Sequence, residues 1–186
     1  MDVLFVCTGN LCRSPSAAWF LAQRLLQNGP EDVTVESAGT LGASFDPPQR
    51  LLKEGVAFGM DLSGHVPRKV DTNSIHRADL VVGMAREHLR EVVLDDPPSF
   101  AKTFTLREVV RRGTERGPRN PGEPLVEWLE RINAGRRHLD MIGDSPQDDI
   151  PDPMGGSSED FRQMLTEVEA LTRSLYALVW GSYVTA

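Results

Sequence analysis

The sequence has little cysteine and no long apolar run. Only Cys7 and Cys12 are cysteines among the 186 residues, and two thiols so close together are a poor basis for a disulfide framework in a chain of this size. No run of about 18 apolar residues occurs, which predicts no membrane span. The first residues carry no positive charge and only a short apolar stretch, so we expect no signal peptide. These absences predict a cytoplasmic protein whose thiols serve chemistry in a reducing compartment.

Positive charge is also in short supply. The chain has 20 Lys and Arg against 27 Asp and Glu, a net charge of -7, so we expect no nucleic acid partner. Any phosphate site must then be locally positive within an acidic body. The sequence also lacks the Gly-Lys-Ser/Thr of a nucleotide-binding loop and the Gly-x-Gly-x-x-Gly of a dinucleotide site. ATP is therefore not an expected ligand.

Apolar runs and helical periodicities alternate along the chain. This alternation predicts an α/β fold with a doubly wound, mostly parallel four-stranded sheet, helices on both faces and a phosphate-binding loop after strand 1. The length predicts a single domain over residues 1–186. Predicted strands are 2–7, 33–37, 78–84 and, more weakly, 103–106. Predicted helices are 14–27 with Ser14 as its cap, 47–58 with Leu51, Leu52 and Val56 inward, 86–94, 124–139, and a last one from Ser157 or Ser158.

The region after the fourth predicted strand is the least regular. Residues 112–124 are rich in Gly and Pro, which predicts a surface loop between elements. Arg111, Arg112, Arg116 and Arg119 form a basic cluster there, which we interpret as solvated, with an acidic partner as the alternative. His76, His88 and His138 have no ligand-like spacing, and we expect them at the surface or its boundary.

The chemistry lies in the loop that follows the first strand. Backbone amides there converge on an anion at the start of a helix. A free thiol has a pKa of about 8.5. At Cys7 we expect backbone amides, a guanidinium and the helix N-terminus to lower the pKa of the thiol. Arg13 offers a planar fork for two phosphate oxygens, and Ser14 is placed to donate to the Cys7 sulfur. Gly9 and Asn10 suit unusual backbone angles. The loop reads Cys7-Thr8-Gly9-Asn10-Leu11-Cys12-Arg13-Ser14.

The longer string from Val3 to Pro15 resembles the bacterial-type low-molecular-weight protein tyrosine phosphatase family. The resemblance extends through 36–40 and 63–68 to Asp152-Pro153. Residues 107–147 are longer than the usual core of that family, which predicts a loop and helix insertion.

The resemblance implies a catalytic set. Cys7 would be the nucleophile, Arg13 would stabilise the transferred phosphoryl group, and an Asp-Pro loop near the C-terminus would hold a general acid. Of three Asp-Pro pairs, only Asp152-Pro153 directly precedes the final helix, so Asp152 takes this role, with Asp149 as a nearby fallback. Water would then hydrolyse the cysteinyl-phosphate, and we expect no metal and no cofactor.

The resemblance also implies binding and supporting residues. Phosphate or another oxyanion would be bound by Thr8, Gly9, Asn10, Leu11, Cys12 and Ser14. Ser37 would brace Asn10, although a strand-end serine is the simpler alternative, and His65 and Arg68 would brace the structure nearby. Cys12 would either form a reversible disulfide with Cys7 or be a small buried side chain. Met154 stands where the family commonly has an aromatic residue, which leaves Phe45 and Leu11 to wall the pocket.

Several functions remain open. The first is hydrolysis of phosphotyrosine in a phosphorylated protein substrate, because Leu11 suits an aromatic ring. Relatives that act on phosphoarginine carry Thr at that position, so a protein-arginine phosphatase is the weaker alternative. Arsenate reduction usually needs further resolving cysteines, which are absent. A non-catalytic phosphate-binding relative is a different class of function, but it would not require Cys7 or Asp152.

Overall fold

A computed structural model describes residues 1–42 and 44–181. In them, four parallel strands form one sheet in the order β2-β1-β3-β4. The strands are β1 (Asp2–Cys7), β2 (Thr34–Gly39), β3 (Leu80–Gly83) and β4 (Thr103–Thr105). The α-helices of the same residues are α1 (Arg13–Asn28), α2 (Gln49–Gly55), α3 (Thr72–Arg77), α4 (Arg86–Asp95), α5 (Leu106–Arg116), α6 (Leu125–Asn133) and α7 (Ser158–Trp180).

Helices cover both faces of the sheet because β1 is apolar on both sides. Val3 and Phe5 join the larger core with residues of α1, α5, α6 and α7. Leu4 and Val6 join a second core with residues of α3 and α4. The predicted doubly wound α/β fold is therefore confirmed, and the sheet is parallel throughout. Of the helices in the described ranges, none combines the length and the apolar character that a membrane crossing requires.

The phosphate-binding loop of the prediction lies between β1 and α1. Cys12 precedes the first helical residue, Arg13, so residues 8–12 form the whole connection. The prediction that Ser14 caps the helix is wrong: Ser14 is the second residue of α1 and is fully buried. The helix begins earlier because the Ser14 hydroxyl contacts the loop and not the first backbone amides.

The segment 107–147 is more helical than predicted. α5 continues to Arg116, so the predicted loop 112–124 is wrong in its first part. The cause is Gly113, where an added Cβ would lie 2.9 Å from Leu178 and 3.1 Å from Trp128; the glycine permits close helix packing and does not break the helix. The helix predicted over 124–139 ends at Asn133.

Two further expectations are wrong. The arginine cluster is not a solvated loop: Arg111 pairs with Asp148 at 3.0 Å, and Arg112 donates to the carbonyls of Ile132 and Ala134. Val56, predicted to point inward, is exposed because α2 ends at Gly55 and a 3-10 turn follows.

Candidate active site

The sulfur of Cys7 lies at the end of β1 and is nearly buried. The Ser14 hydroxyl donates to it at 3.0 Å, and the backbone N–H of Asn10 donates at 3.3 Å. Two donors aimed at one sulfur stabilise a negative charge on it. The contact from Ser14 is the one that the sequence suggested.

Asn10 shapes the turn of the loop. Its φ of 55° is left-handed, a conformation that Asn adopts more readily than most residues. Its Nδ2 donates to Ser14 Oγ at 3.0 Å and to Ser37 Oγ at 2.9 Å. Its Oδ1 accepts from the Arg68 backbone N–H at 3.0 Å, and its carbonyl oxygen lies 2.7 Å from His65 Nε2. The structure therefore brings Ser37, His65 and Arg68 to the loop, as the resemblance implied.

Gly39 allows the loop to approach the neighbouring strand. It pairs in register with Cys7, and a Cβ at this position would lie 2.6 Å from the Thr8 carbonyl oxygen and 2.8 Å from the Asn10 nitrogen. Real Cβ atoms do not approach backbone so closely, so any larger residue must displace the loop. Sequence reasoning had not singled out Gly39.

Arg13 and Asp152 meet although 139 residues separate them. Arg13 Nη2 donates to Asp152 Oδ2 at 2.6 Å, and Nη1 donates to the Ile150 carbonyl oxygen at 3.2 Å. The guanidinium is almost fully buried, whereas the Asp152 side chain is 41% exposed. Asp152 Oδ1 also accepts from the Met154 backbone N–H at 3.1 Å. Arg13, the predicted phosphate-binding residue, and Asp152, the predicted acid, are thus in direct contact.

Asp149, the fallback acid, is engaged elsewhere. Its Oδ1 accepts from the Arg86 backbone N–H at 2.7 Å, and its Oδ2 accepts from the Ser145 backbone N–H at 2.6 Å. Neighbouring Asp148 accepts from the side chains of Arg86 and Arg111. Burial alone would raise the pKa of Asp148, but these two arginines outweigh it and lower the pKa overall. Both aspartates hold the loop that carries Asp152.

Cys12 differs from Cys7 in its surroundings. Its Sγ contacts Met154 Sδ at 3.5 Å. Burial raises the pKa of Cys12 to about 12, and the negative charges of Cys7 and Asp152 act in the same direction against Arg13. Cys12 is therefore a neutral thiol at physiological pH. Both cysteines are free, and a disulfide between them stays a prediction.

The two predicted pocket walls have very different exposure. Leu11 is 8% exposed and belongs to the larger core, whereas Phe45 is 74% exposed after β2. Met154 is half-exposed and contacts Cys12, so an apolar side chain does stand beside the Asp152 loop. The roles of Leu11 and Phe45 as walls stay predictions.

His88 is a site residue that the sequence analysis missed. It was expected at the surface or its boundary, but it is 1% exposed and its Nε2 lies 3.0 Å from Thr8 Oγ1. A positional signal was available, because His88 follows β3, whose end pairs with β1 at Val6 and Gly83. Residues just beyond the carboxyl ends of parallel strands gather at the edge where ligands bind.

Comparisons with known proteins agree with this geometry. The family model described as low molecular weight phosphotyrosine protein phosphatase matches residues 2–120. A low molecular weight protein-tyrosine-phosphatase of Streptomyces coelicolor is 32% identical over 184 residues, covering 95% of this chain and 92% of that protein. A protein-arginine-phosphatase of Bacillus subtilis is 27% identical over 180 residues, covering 94% of each. The crystal structure of a low molecular weight protein tyrosine phosphatase from T. tengcongensis superposes with a TM-score of 0.70 at 27% identity, over 94% of this chain and 97% of that one.

Proposed function

The chain belongs to the low-molecular-weight phosphotyrosine protein phosphatase family, and we propose that it hydrolyses phosphotyrosine and small aryl phosphates through a cysteinyl-phosphate intermediate. One observation carries this proposal: the Cys7 sulfur receives hydrogen bonds from Ser14 and Asn10 in the same loop that presents Arg13 to Asp152. The residues that we propose as nucleophile, phosphate clamp and acid thus lie within one small site.

In the first step the Cys7 thiolate attacks phosphorus, an S–P bond forms and the bond to the phenolic oxygen breaks. Arg13 and the amides of residues 8–12 stabilise the charge on the equatorial oxygens. Asp152 in its acid form gives its proton to the departing phenol. Arg13 suits the clamp because a guanidinium binds two phosphate oxygens in one plane.

In the second step water attacks the cysteinyl-phosphate and the S–P bond breaks. Asp152, now a carboxylate, takes a proton from this water. The Ser14 hydroxyl, 3.0 Å from the sulfur, stabilises the thiolate as it leaves. Phosphate departs and the site returns to its starting state with no metal required.

The contact between Arg13 and Asp152 suggests how substrate prepares the acid. Nη2 of Arg13 donates to the Asp152 carboxylate at 2.6 Å. A phosphate in the loop competes for the same N–H group, which releases the Asp152 carboxyl group from Arg13 and lets it turn toward the leaving oxygen. We propose that substrate binding and the release of Asp152 from Arg13 are coupled in this way.

Phosphotyrosine is the preferred substrate because Met154 is half-exposed beside Asp152 and because Leu11, in the loop, has no hydroxyl that could bind a guanidinium. The similarity to the Bacillus subtilis protein-arginine-phosphatase over 94% of the chain keeps phosphoarginine as the second candidate. We propose a phosphorylated protein as the physiological partner, a cytoplasmic location and one phosphatase domain over residues 1–186. The buried Trp128 and Ile132 of α6 in the same core as β1 support the single domain.

The test is hydrolysis of p-nitrophenyl phosphate by the wild type and by Cys7→Ser. We expect activity in the first and at least about a thousandfold loss in the second, since a covalent nucleophile is removed. Cys12→Ser, the same exchange in the same loop, should lose far less, because the Cys12 thiol contacts Met154. Equal rates for wild type and Cys7→Ser would refute catalysis and leave phosphate binding. Parallel assays on phosphotyrosine and phosphoarginine peptides decide between the two substrates.

A further inference from the structure

His88 contacts the phosphate-binding loop at Thr8. It lies on α4, just after β3, and its imidazole is almost completely buried. Nε2 lies 3.0 Å from Oγ1 of Thr8, the residue that follows the nucleophile. None of the steps proposed above uses His88, so a buried imidazole against this loop needs its own explanation.

The hydrogen bonds fix which ring nitrogen carries the proton. The Ala85 backbone N–H donates to Nδ1 at 2.9 Å, and a nitrogen that accepts a hydrogen bond carries no proton. Burial, with the nearby charge of Arg13 as the next cause, lowers the pKa of His88 to about 3, so the ring is neutral at physiological pH. Its one proton is therefore on Nε2. Nε2–H donates to Thr8 Oγ1 at 3.0 Å, which is nearer than Glu87 Oε1, 3.3 Å from the same nitrogen.

This donation determines what the Thr8 hydroxyl can do. Thr8 Oγ1 also accepts from Arg13 Nη2 at 3.3 Å, so both of its lone pairs are used by donors. Its own proton is left for Glu87 Oε1, 3.4 Å away. Thr8 Oγ1 thus acts as a hydrogen-bond acceptor for Arg13. If the histidine nitrogen accepted a hydrogen bond instead, the Thr8 O–H would point toward His88 and the hydroxyl would have a different orientation relative to Arg13.

We propose that His88 is a positioning residue, which acts through Thr8 to hold the Arg13 guanidinium in the orientation that captures phosphate. The inference rests on the proposed function, in which Arg13 binds the phosphoryl oxygens. Nη1 of Arg13 donates to the Ile150 carbonyl oxygen and Nη2 donates to Thr8 Oγ1. Hydrogen bonds at both terminal nitrogens therefore fix the plane of the guanidinium. A bidentate contact depends on that plane, because a small misplacement loses one of the two hydrogen bonds.

A simpler role for His88 is to cap α4 through the bond from Ala85. Two substitutions separate the roles. In His88→Asn the amide oxygen stands near the position of Nδ1, so the bond from Ala85 is kept and the bond to Thr8 is lost. In His88→Gln the amide nitrogen reaches the position of Nε2, so the bond to Thr8 is kept and the cap is weakened.

The experiment measures the Kd of inorganic phosphate, kcat/KM on p-nitrophenyl phosphate and Tm for both variants. We expect His88→Asn to weaken phosphate binding and to lower kcat/KM by about tenfold or more, with a Tm close to that of wild type. For His88→Gln we expect a phosphate Kd and a kcat/KM within about threefold of the wild-type values, and a lower Tm. Thr8→Val, which removes the hydroxyl at nearly constant shape, should match His88→Asn, and combining the two should add little.

The inference would be overturned if phosphate affinity and kcat/KM fell only in the variant whose Tm falls, because a residue that only caps α4 would affect function through stability alone. Full function in His88→Asn would overturn it as well. If the wild type binds phosphate but hydrolyses nothing, the proposed function fails, and the phosphate Kd values still decide the role of His88. If His88→Asn does not fold, Thr8→Val and His88→Gln give the answer.

Discussion

Acid should weaken the folded protein through His88 well before its carboxylates are protonated. The pKa of this imidazole falls from an ordinary 6.5 to about 3 on folding, because burial and then the charge of Arg13 disfavour its charged form. Below pH 6.5 the unfolded chain therefore binds a proton that the folded chain does not. The contribution of His88 to stability is fully present above its unfolded pKa and is lost as the pH falls from about 6.5 toward about 3.

The size of this effect follows from linkage. Each pH unit well below 6.5 removes about 1.4 kcal/mol, so about 2 kcal/mol should be lost between pH 7 and pH 5. Urea unfolding at these two values measures the free energy of unfolding for wild type and for His88→Asn. The variant cannot titrate at this position and keeps the acceptor for Ala85, so other ionisable groups cancel in the comparison.

We expect the free energy of unfolding of the variant to fall by about 2 kcal/mol less than that of wild type over this interval. Equal losses in the two proteins would refute the reasoning, because His88 would then be charged, or hydrated, in the folded state. The same result would remove the proton assignment on which the contact with Thr8 depends.

Two further substitutions test how the site is built. Gly39→Ala must displace the loop, because its Cβ would lie 2.6 Å from a loop carbonyl oxygen, and we expect kcat/KM to fall by about a hundredfold. The control Gly64→Ala, whose Cβ meets nothing within 4 Å, should have the activity of the wild type. Equal activities of the two variants would contradict the steric argument. Asp148→Asn leaves two arginines without their buried partner. Urea unfolding should show that the free energy of unfolding falls by about 2 kcal/mol, which is below the usual range for buried pairs because both arginines are partly exposed. In the control Asp144→Asn, at an exposed position, the free energy of unfolding should hardly change. Similar values for the two variants would show that Asp148 does not anchor its loop.

The parts of the fold that local rules govern were predictable. The apolar run of β1 gave a strand buried on both faces, Asn10 adopts the left-handed angle that its side chain tolerates, and Ser157 caps α7 through Asp160. In each case the deciding interaction lies within a few residues of the chain, where composition and spacing carry the information.

Predictions failed where distant contacts override local rules. Gly113 reads as a helix breaker, yet α5 passes through it because Trp128 and Leu178 need the space. Ser14 was predicted to cap the helix, yet its hydroxyl contacts the Cys7 sulfur and the carbonyl oxygen of Ala38, 24 residues along the chain. Only the packing of elements far apart in sequence decides such positions.

For the loop that carries Asp152, the sequence offered a candidate acid but not the contacts that hold the loop in place. The family model ends at residue 120, so it does not reach this loop. Arg107 Nη1, on α5, donates to the carbonyls of Pro146 and Asp149 at 2.6 Å each, and Arg111 of the same helix binds Asp148. The start of the 107–147 segment thus fastens the chain just before Asp152. Because these contacts end three residues before Asp152, a segment that looked like an appended insertion packs against the loop that carries the proposed acid.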